Sequence, residues 1–282
     1  MPKLGVQMMM VKEAVAEEGM WPVLQRLHDL DLEGVEVSQI PTDETNVAAL
    51  ERGTRELGLA VGALSVAIEP IATASCDNLV TDFAKIVEDC QRLDCRYVRI
   101  GMMPVAAMTS KDACEEFARK CQAKAQELAP HGITLCYHNH HVDLAQLEGE
   151  RIFDIVRRVA PSLGFEVDLH WVMRGGMNPL DMLKNYHGVC KLVHLKDFRV
   201  VPLTPEMAEL PSQGKHREFA IEFNNLVRFS EVGAGNMNWP ELLPAAKAAG
   251  ADWFFIEQDE TYGRDPFDCI KDSREYLRTI GY

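Results

Sequence analysis

Short apolar runs alternate with longer amphipathic stretches from one end of the chain to the other. The runs are Leu4–Met8, Val35–Ser38, Ala60–Val66, Tyr97–Gly101, Ile133–His138, Gly164–Leu169, Cys190–Lys196 and Trp253–Glu257. Such alternation predicts a parallel sheet built from βα units. Eight units in succession predict an α/β fold, a closed (β/α)8 TIM barrel occupying residues 1–282 as a single domain. Helical spacing is legible between the runs. Val80, Phe83, Ile86, Val87, Cys90 and Leu93 recur along one face of a helix expected over 77–93, and Cys114, Phe117, Ala118, Cys121, Ala125 and Leu128 do so over 110–128. Asn178-Pro179 and Asp265-Pro266 put a capping side chain before a proline at the first helical position. Asn238-Trp239-Pro240-Glu241 reads as a third capped start, with Pro244 expected to shorten or bend the helix and Gly250 to close it.

One segment breaks the rhythm. Residues 198–232 separate the seventh strand from the next helix, and a loop of that length inside a compact domain is usually a lid or a binding segment. It follows a strand, so in a barrel it is expected over the catalytic face. No repeat, low-complexity tract or Pro/Gly/Ser-rich linker divides the chain.

Composition narrows the functional classes. Among 282 residues, 43 are Asp or Glu and 29 are Lys or Arg, a formal net charge of −14. That surface repels phosphate backbones, and no basic block offsets it, so neither nucleic acid nor an anionic membrane is expected as a partner. The start of the sequence lacks the pattern of a secretory signal, and no apolar run approaches the roughly 18 residues needed to span a bilayer. A soluble, unprocessed, cytoplasmic protein is expected. The eight cysteines form no C-x-x-C pair and sit mostly among apolar neighbours, as free core thiols of a reducing compartment do.

The chemistry gathers at the ends of the last four strands. The fifth runs into Tyr137-His138-Asn139-His140-His141, the sixth ends Glu166-Val167-Asp168-Leu169-His170, the seventh is His194-Leu195-Lys196-Asp197, and the eighth ends Phe255-Ile256-Glu257-Gln258. Period-two alternation sets Cys136, His138 and His140 on one face, Glu166, Asp168 and His170 on one, His194 with Lys196, and Phe255 with Glu257. A lone His or Asp at a strand end is usually a satisfied polar group or a helix cap. Four on successive strands point instead to a shared cation, because burying them unpartnered would cost several kcal/mol each. A mixed nitrogen and oxygen set suits Mn²⁺, Zn²⁺, Co²⁺ or Fe²⁺.

With these residues assembled, the chain resembles the sugar phosphate isomerase/epimerase superfamily, the xylose isomerase-like barrels related to apurinic endonucleases (AP endonuclease family 2). The resemblance rests on Gly34-Val35-Glu36-Val37, Tyr137-His138-Asn139-His140, Val167-Asp168-Leu169-His170-Trp171 with Gly175-Gly176-Met177-Asn178-Pro179, and His194-Leu195-Lys196-Asp197. It continues through Val232-Gly233-Ala234-Gly235, Trp239, Ile256-Glu257-Gln258-Asp259 and Asp265-Pro266 to Ser273 and Tyr276-Leu277. It implies one divalent metal, Mn²⁺ first, with Zn²⁺, Co²⁺ or Mg²⁺ as alternatives, held by Asp168, His194 and Glu257, with His138 or His140 as the ligand from the fifth strand. The epimerases carry glutamate where this chain has His138, and that glutamate is one of their two acid/base groups.

The resemblance also implies an enzyme that removes a proton next to a sugar carbonyl, with the metal stabilising the enediolate. Glu257 is the expected base, with His138 or His140 as the second group, and Lys196 is expected to hold a substrate oxygen or assist a departing hydroxyl. Glu36, His140, His170 and Trp171 are expected walls of the substrate pocket. A sugar isomerase or epimerase ranks first, and a lyase or dehydratase acting on a keto sugar, of the inosose dehydratase or 3-keto-glycoside type, stands close behind it. A metal-free sugar-binding subunit is a weaker alternative, and an abasic-site endonuclease would need more metal ligands and a basic groove. The expected partner is a small-molecule sugar or keto sugar, and a homo-oligomer is compatible with all of this.

Overall fold

Each of the eight apolar runs forms a strand in the computed structural model, which describes residues 1–70 and 76–282. The strands are Lys3–Gln7 (β1), Gly34–Val37 (β2), Ala60–Ser65 (β3), Tyr97–Ile100 (β4), Thr134–His138 (β5), Gly164–Asp168 (β6), Cys190–Leu195 (β7) and Trp253–Ile256 (β8). They pair in parallel in chain order, and β8 returns to β1 to close the barrel, with Leu4 opposite Phe254 and Val6 opposite Ile256. Both faces are covered, the outer by helices and the inner by side chains, so the runs need no polar alternation.

The lower interior is filled by two aromatic rings. Trp253 and Phe255 on β8 stack with centroids 5.3 Å apart. The facing strands make room with glycine: a Cβ at Gly34 would come within 2.5 Å of the Trp253 ring, and one at Gly62 within 2.7 Å of Phe255. Ala63, Cys136 and Leu192 complete this inner cluster. Polar side chains begin one layer higher, at the C-terminal ends of the strands, as the barrel architecture leads one to expect.

Helix Lys111–Leu128 buries the six residues its spacing singled out and is capped by Ser110, whose hydroxyl accepts from Ala113 N. The earlier helix is shorter than expected. It starts at Phe83, and Val80 lies outside it, 56% exposed. Asn78 explains the difference, since its Oδ1 accepts from Val80 N and Thr81 N while Asp82 Oδ2 accepts from Asn78 N. These side-chain bonds satisfy the backbone in a turn that competes with the first helical turn. Asn178 and Asp265 cap as expected, accepting from Leu180 N and Phe267 N. Asn238 makes no side-chain cap, and the helix Trp239–Ala249 runs through Pro244 without being cut short before Gly250 closes it in the left-handed region.

The segment after β7 is structured. Asp197–Val200 pairs antiparallel with Val227–Ser230, Phe198 opposite Phe229, and helices Pro205–Glu209 and His216–Asn224 lie between them. Neither helix buries a residue, so neither presents a core face against the barrel. Among the described residues no helix is long and apolar enough to cross a membrane, and the eight cysteines are all unpaired.

The packing against glycine is testable. Gly62→Val would push two methyl groups into space held by Trp253 and Phe255, and should lower stability by about 1–3 kcal/mol. A urea midpoint unchanged from the wild type would show that the interior is not closed in this way.

Candidate metal centre

β5 ends in His138, β6 ends in Asp168, β7 carries His194, and Glu257 is the first residue beyond β8. The parallel register sets Asp168 opposite His194, and Glu257 N extends the ladder by donating to Leu195 O at 3.1 Å. Each of the four residues brings one ligand atom to within 4.8 Å of the others, and all four are buried. His138 Nε2 lies 3.6 Å and His194 Nδ1 3.7 Å from Asp168 Oδ2, while His194 Nδ1 lies 2.7 Å from Glu257 Oε2.

In every one of the four, one polar atom is tied and the other is left over. The Nδ1–H of His138 donates to Gly101 O at 3.1 Å, leaving Nε2 with its lone pair. His194 Nε2 meets Glu36 Oε2 at 3.1 Å and leaves Nδ1, which the surrounding carboxylates hold protonated until a cation takes that place. Asp168 Oδ1 accepts from Trp171 N at 2.9 Å, capping the helix Leu169–Arg174 and leaving Oδ2. Gln7 Nε2 donates to Glu257 Oε1 at 3.0 Å, leaving Oε2. The four leftover atoms are cut off from solvent and turned toward one another, with the Lys196 ammonium also 3.2 Å from Asp168 Oδ2 and 2.9 Å from Glu257 Oε2. Holding polar atoms together without water is costly, and a cation shared by two imidazole nitrogens and two carboxylate oxygens relieves that cost.

Charge leads to the same conclusion. Glu36, Glu166, Asp168 and Glu257 are buried carboxylates, and the buried cations beside them are Arg99 and Lys196. The excess is negative, the sign of charge that a cation offsets. Burial works against the Glu36 charge, yet Arg99 and His194 outweigh it and hold the carboxyl at about 2. Glu166, buried and facing the Glu36 charge, is pushed up to about 8. Glu257 is held well below the carboxylate range because His194 and Lys196 outweigh its burial. Burial pushes His138 down to about 4, keeping its imidazole neutral, as a metal ligand must be.

Glu36, expected as a wall of the substrate pocket, is enclosed by protein. It is fully buried, and it accepts from Arg99 Nε at 2.8 Å through Oε1 as well as from His194 through Oε2. Lys196 lies among three carboxylates, 2.9 Å from Glu257, 3.2 Å from Asp168 and 2.8 Å from Asp259, with the Trp171 ring 5.0 Å away. His170 and Trp171 stand on the short helix that follows β6, so strand alternation does not govern them. His170 is enclosed by Trp171, Phe198 and Phe229 at ring distances of 4.7, 5.1 and 5.1 Å. His140 lies 4.8 Å from the His138 ring and 5.7 Å from Trp171.

Several participants receive no role from the sequence, although Glu166, Asn139 and Asp259 lie in its motifs. Gln7, Arg99, Glu166, Asn139 and Asp259 all touch the centre or the residues that orient it. Asn139 brackets Asp168, accepting from its N–H at 3.0 Å and donating to its carbonyl at 3.3 Å. Gln7 and Arg99 lie near the ends of β1 and β4, the same position that identified the other groups, and the signal was a polar residue in an otherwise apolar run.

Residues 24–280 match the family described as xylose isomerase-like TIM barrel. Inosose dehydratase of Bacillus thuringiensis (strain Al Hakam) is 29% identical over 153 residues, 52% of this chain and 48% of that protein, so the chain spans about half the length of the curated relatives it matches. A sugar phosphate isomerase/epimerase from Parabacteroides distasonis ATCC 8503 superposes with a TM-score of 0.74 at 20% identity, covering 98% of each chain. The IolI protein with a bound zinc atom superposes with a TM-score of 0.65 at 16% identity, covering 99% of this chain and 97% of that one. At these identities the two structural matches speak for the fold.

The partners that orient the ligands predict a measurable dependence. Glu36→Gln keeps the shape but weakens the bond that sets the His194 tautomer, and should reduce divalent-metal affinity about 10–100-fold, read by calorimetric titration with Mn²⁺. Wild-type affinity in this variant would mean that Glu36 does not orient His194.

Proposed function

The chain belongs to the xylose isomerase-like TIM barrel family, and from that premise we propose that it removes the proton next to the carbonyl of a keto sugar and then expels the oxygen substituent one carbon further on, as a dehydratase or lyase does. Isomerases, epimerases and dehydratases all occur among its relatives and structural neighbours. Proton removal beside a carbonyl serves all three outcomes, and the fate of the resulting enediolate separates them.

His138, Asp168, His194 and Glu257 would hold a divalent ion, Mn²⁺ in our reading, and the zinc of the IolI structure supports a divalent occupant. When bound, the ion supplies Lewis-acid stabilisation of the negative charge that collects on the substrate oxygens. Glu257, ionised at neutral pH, is the proposed base. Lys196 is the proposed acid, its ammonium 2.9 Å from Glu257 Oε2. As the β C–O bond breaks, the electron pair of the broken C–H bond becomes the C=C bond, and the Lys196 proton goes to the leaving oxygen, making water from a hydroxyl or the free alcohol from a glycoside. The proton taken by Glu257 then returns to Lys196. Trp171 offers an apolar face to the sugar, and His140 and His170 offer unpartnered nitrogens to its hydroxyls.

Lys196 is the observation that carries this reading. It is a buried ammonium in contact with the base, in a site whose fifth strand ends in His138 instead of the second carboxylate of a two-base epimerase. The 29% identity to an inosose dehydratase supports the same direction. Isomerisation or epimerisation is the second reading, favoured by His140, whose unpartnered Nδ1 lies beside His138 and would return the proton from another side.

Incubation of inososes, 3-keto glycosides and ketoses with the Mn²⁺-loaded protein in D₂O, followed by NMR, separates these outcomes. An unsaturated product is expected. Glu257→Gln should abolish both deuterium wash-in and product, while Lys196→Met should keep wash-in and lose product formation by about 10²–10⁴-fold. Wash-in with an intact skeleton in the wild type would favour the isomerase reading, and no exchange on any substrate would sink both.

A further inference from the structure

A cavity of about 610 Å³ opens between the helix Lys12–Glu18 and the chain that follows β8. Its volume is that of a complete ligand site, in the range of roughly 300–1,000 Å³. None of His138, Asp168, His194, Glu257 or Lys196 belongs to its wall. Asp259 does, and its Oδ1 lies 2.8 Å from Lys196 Nζ, so the inner end of the cavity is one side chain away from the reacting centre. This space is therefore additional to whatever the reacting sugar ring fills.

We infer that this cavity is a distal subsite for an uncharged glycosyl unit, so that the substrate is a keto glycoside or keto disaccharide and not a free or phosphorylated monosaccharide. The inference rests on the proton-removal chemistry proposed above and adds the substrate class. The wall combines apolar surface from Met9 and Phe267 with hydrogen-bonding groups from Gln258, Asp259 and Thr261, a mixture suited to the C–H faces and hydroxyls of a sugar. Gln258 is 4% exposed, and its Oε1 finds no protein donor.

Charge decides against a phosphate. The wall holds six carboxylates and three bases, and each base is already engaged. Arg26 is tied to Glu18 at 3.3 Å and Asp265 at 3.7 Å, Arg264 to Glu231 and Asp272, and Lys12 donates to Gln39 Oε1 at 2.6 Å. An anion entering here would meet net repulsion from the carboxylates, with Lys12 the one base of the wall not paired to a carboxylate among the described residues, whereas a neutral polyol meets no such repulsion.

Calorimetric binding of glucose, cellobiose and glucose 6-phosphate to the Mn²⁺-loaded protein tests the subsite without turnover. The disaccharide should bind at least tenfold more tightly than glucose, and the phosphate no more tightly than glucose. Ala14→Trp, on the cavity wall, should collapse the disaccharide advantage to about onefold. Glucose binding as tightly as cellobiose, tighter binding of the phosphate, or an advantage that survives Ala14→Trp would each overturn the inference. The same comparison in D₂O, with the 3-keto forms of glucose and cellobiose as substrates, separates the two claims. Tighter disaccharide binding without any exchange leaves the subsite standing and removes the chemistry, and equal binding with exchange does the reverse.

Discussion

The centre depends on a division of labour inside single side chains. Each of His138, Asp168, His194 and Glu257 has one polar atom committed to the scaffold and one withheld from it. The scaffold partners come from four different places: the carbonyl after β4, the first turn of the helix after β6, the end of β2 and the end of β1. The rotamers of the four ligands are therefore set by the barrel as a whole, before any ion arrives. The withheld atoms are what make the site costly to leave without a cation, and the buried carboxylates around them set the sign of the charge required.

That arrangement needs a rigid floor. Trp253 and Phe255 fill the barrel beneath the polar layer, with Gly34 and Gly62 opposite them, so the ligands rest on close-packed aromatic surface. Arg99 performs the electrostatic equivalent, holding Glu36 and Glu166 side by side under His194. A buried guanidinium between two carboxylates contributes little to stability by itself. Its contribution is to keep Glu36 charged and fixed where the His194 N–H needs an acceptor.

Much of this was legible in the amino-acid order, for physical reasons that differ by element. The barrel strands were plain because strands covered on both faces must be apolar along their whole length, and their bounds fell within a residue or two of the expected ones. The four candidate ligands were plain because ionisable groups at the ends of such strands have no bland explanation when they recur. Glu36 was visible, but its role was not: only the closed barrel brings β2 near enough to β7 for its carboxylate to meet His194. Arg99 and Gln7 were hidden by the same fact, since their importance lies in partners more than sixty residues away. The helices of 205–224 were illegible because nothing apolar is buried there, and the helix expected from 77 lost its first turn to Asn78 and Asp82, whose side chains bond the backbone locally.

Asp197, the residue after Lys196, has a wider consequence. Its carboxylate accepts from Phe198 N, Gly233 N, Met237 N and the Trp239 indole, at 2.8, 3.0, 3.1 and 2.7 Å. The chain thus leaves the barrel and returns to it at a single clasp. Because the two ends are already held together, the cost of closing the excursion rises only slowly with its length. Residues 198–230 form a module that evolution or design can lengthen, shorten or replace while β7 and the ammonium beside the clasp stay where they are, which makes this excursion the natural place for one barrel to acquire a new substrate.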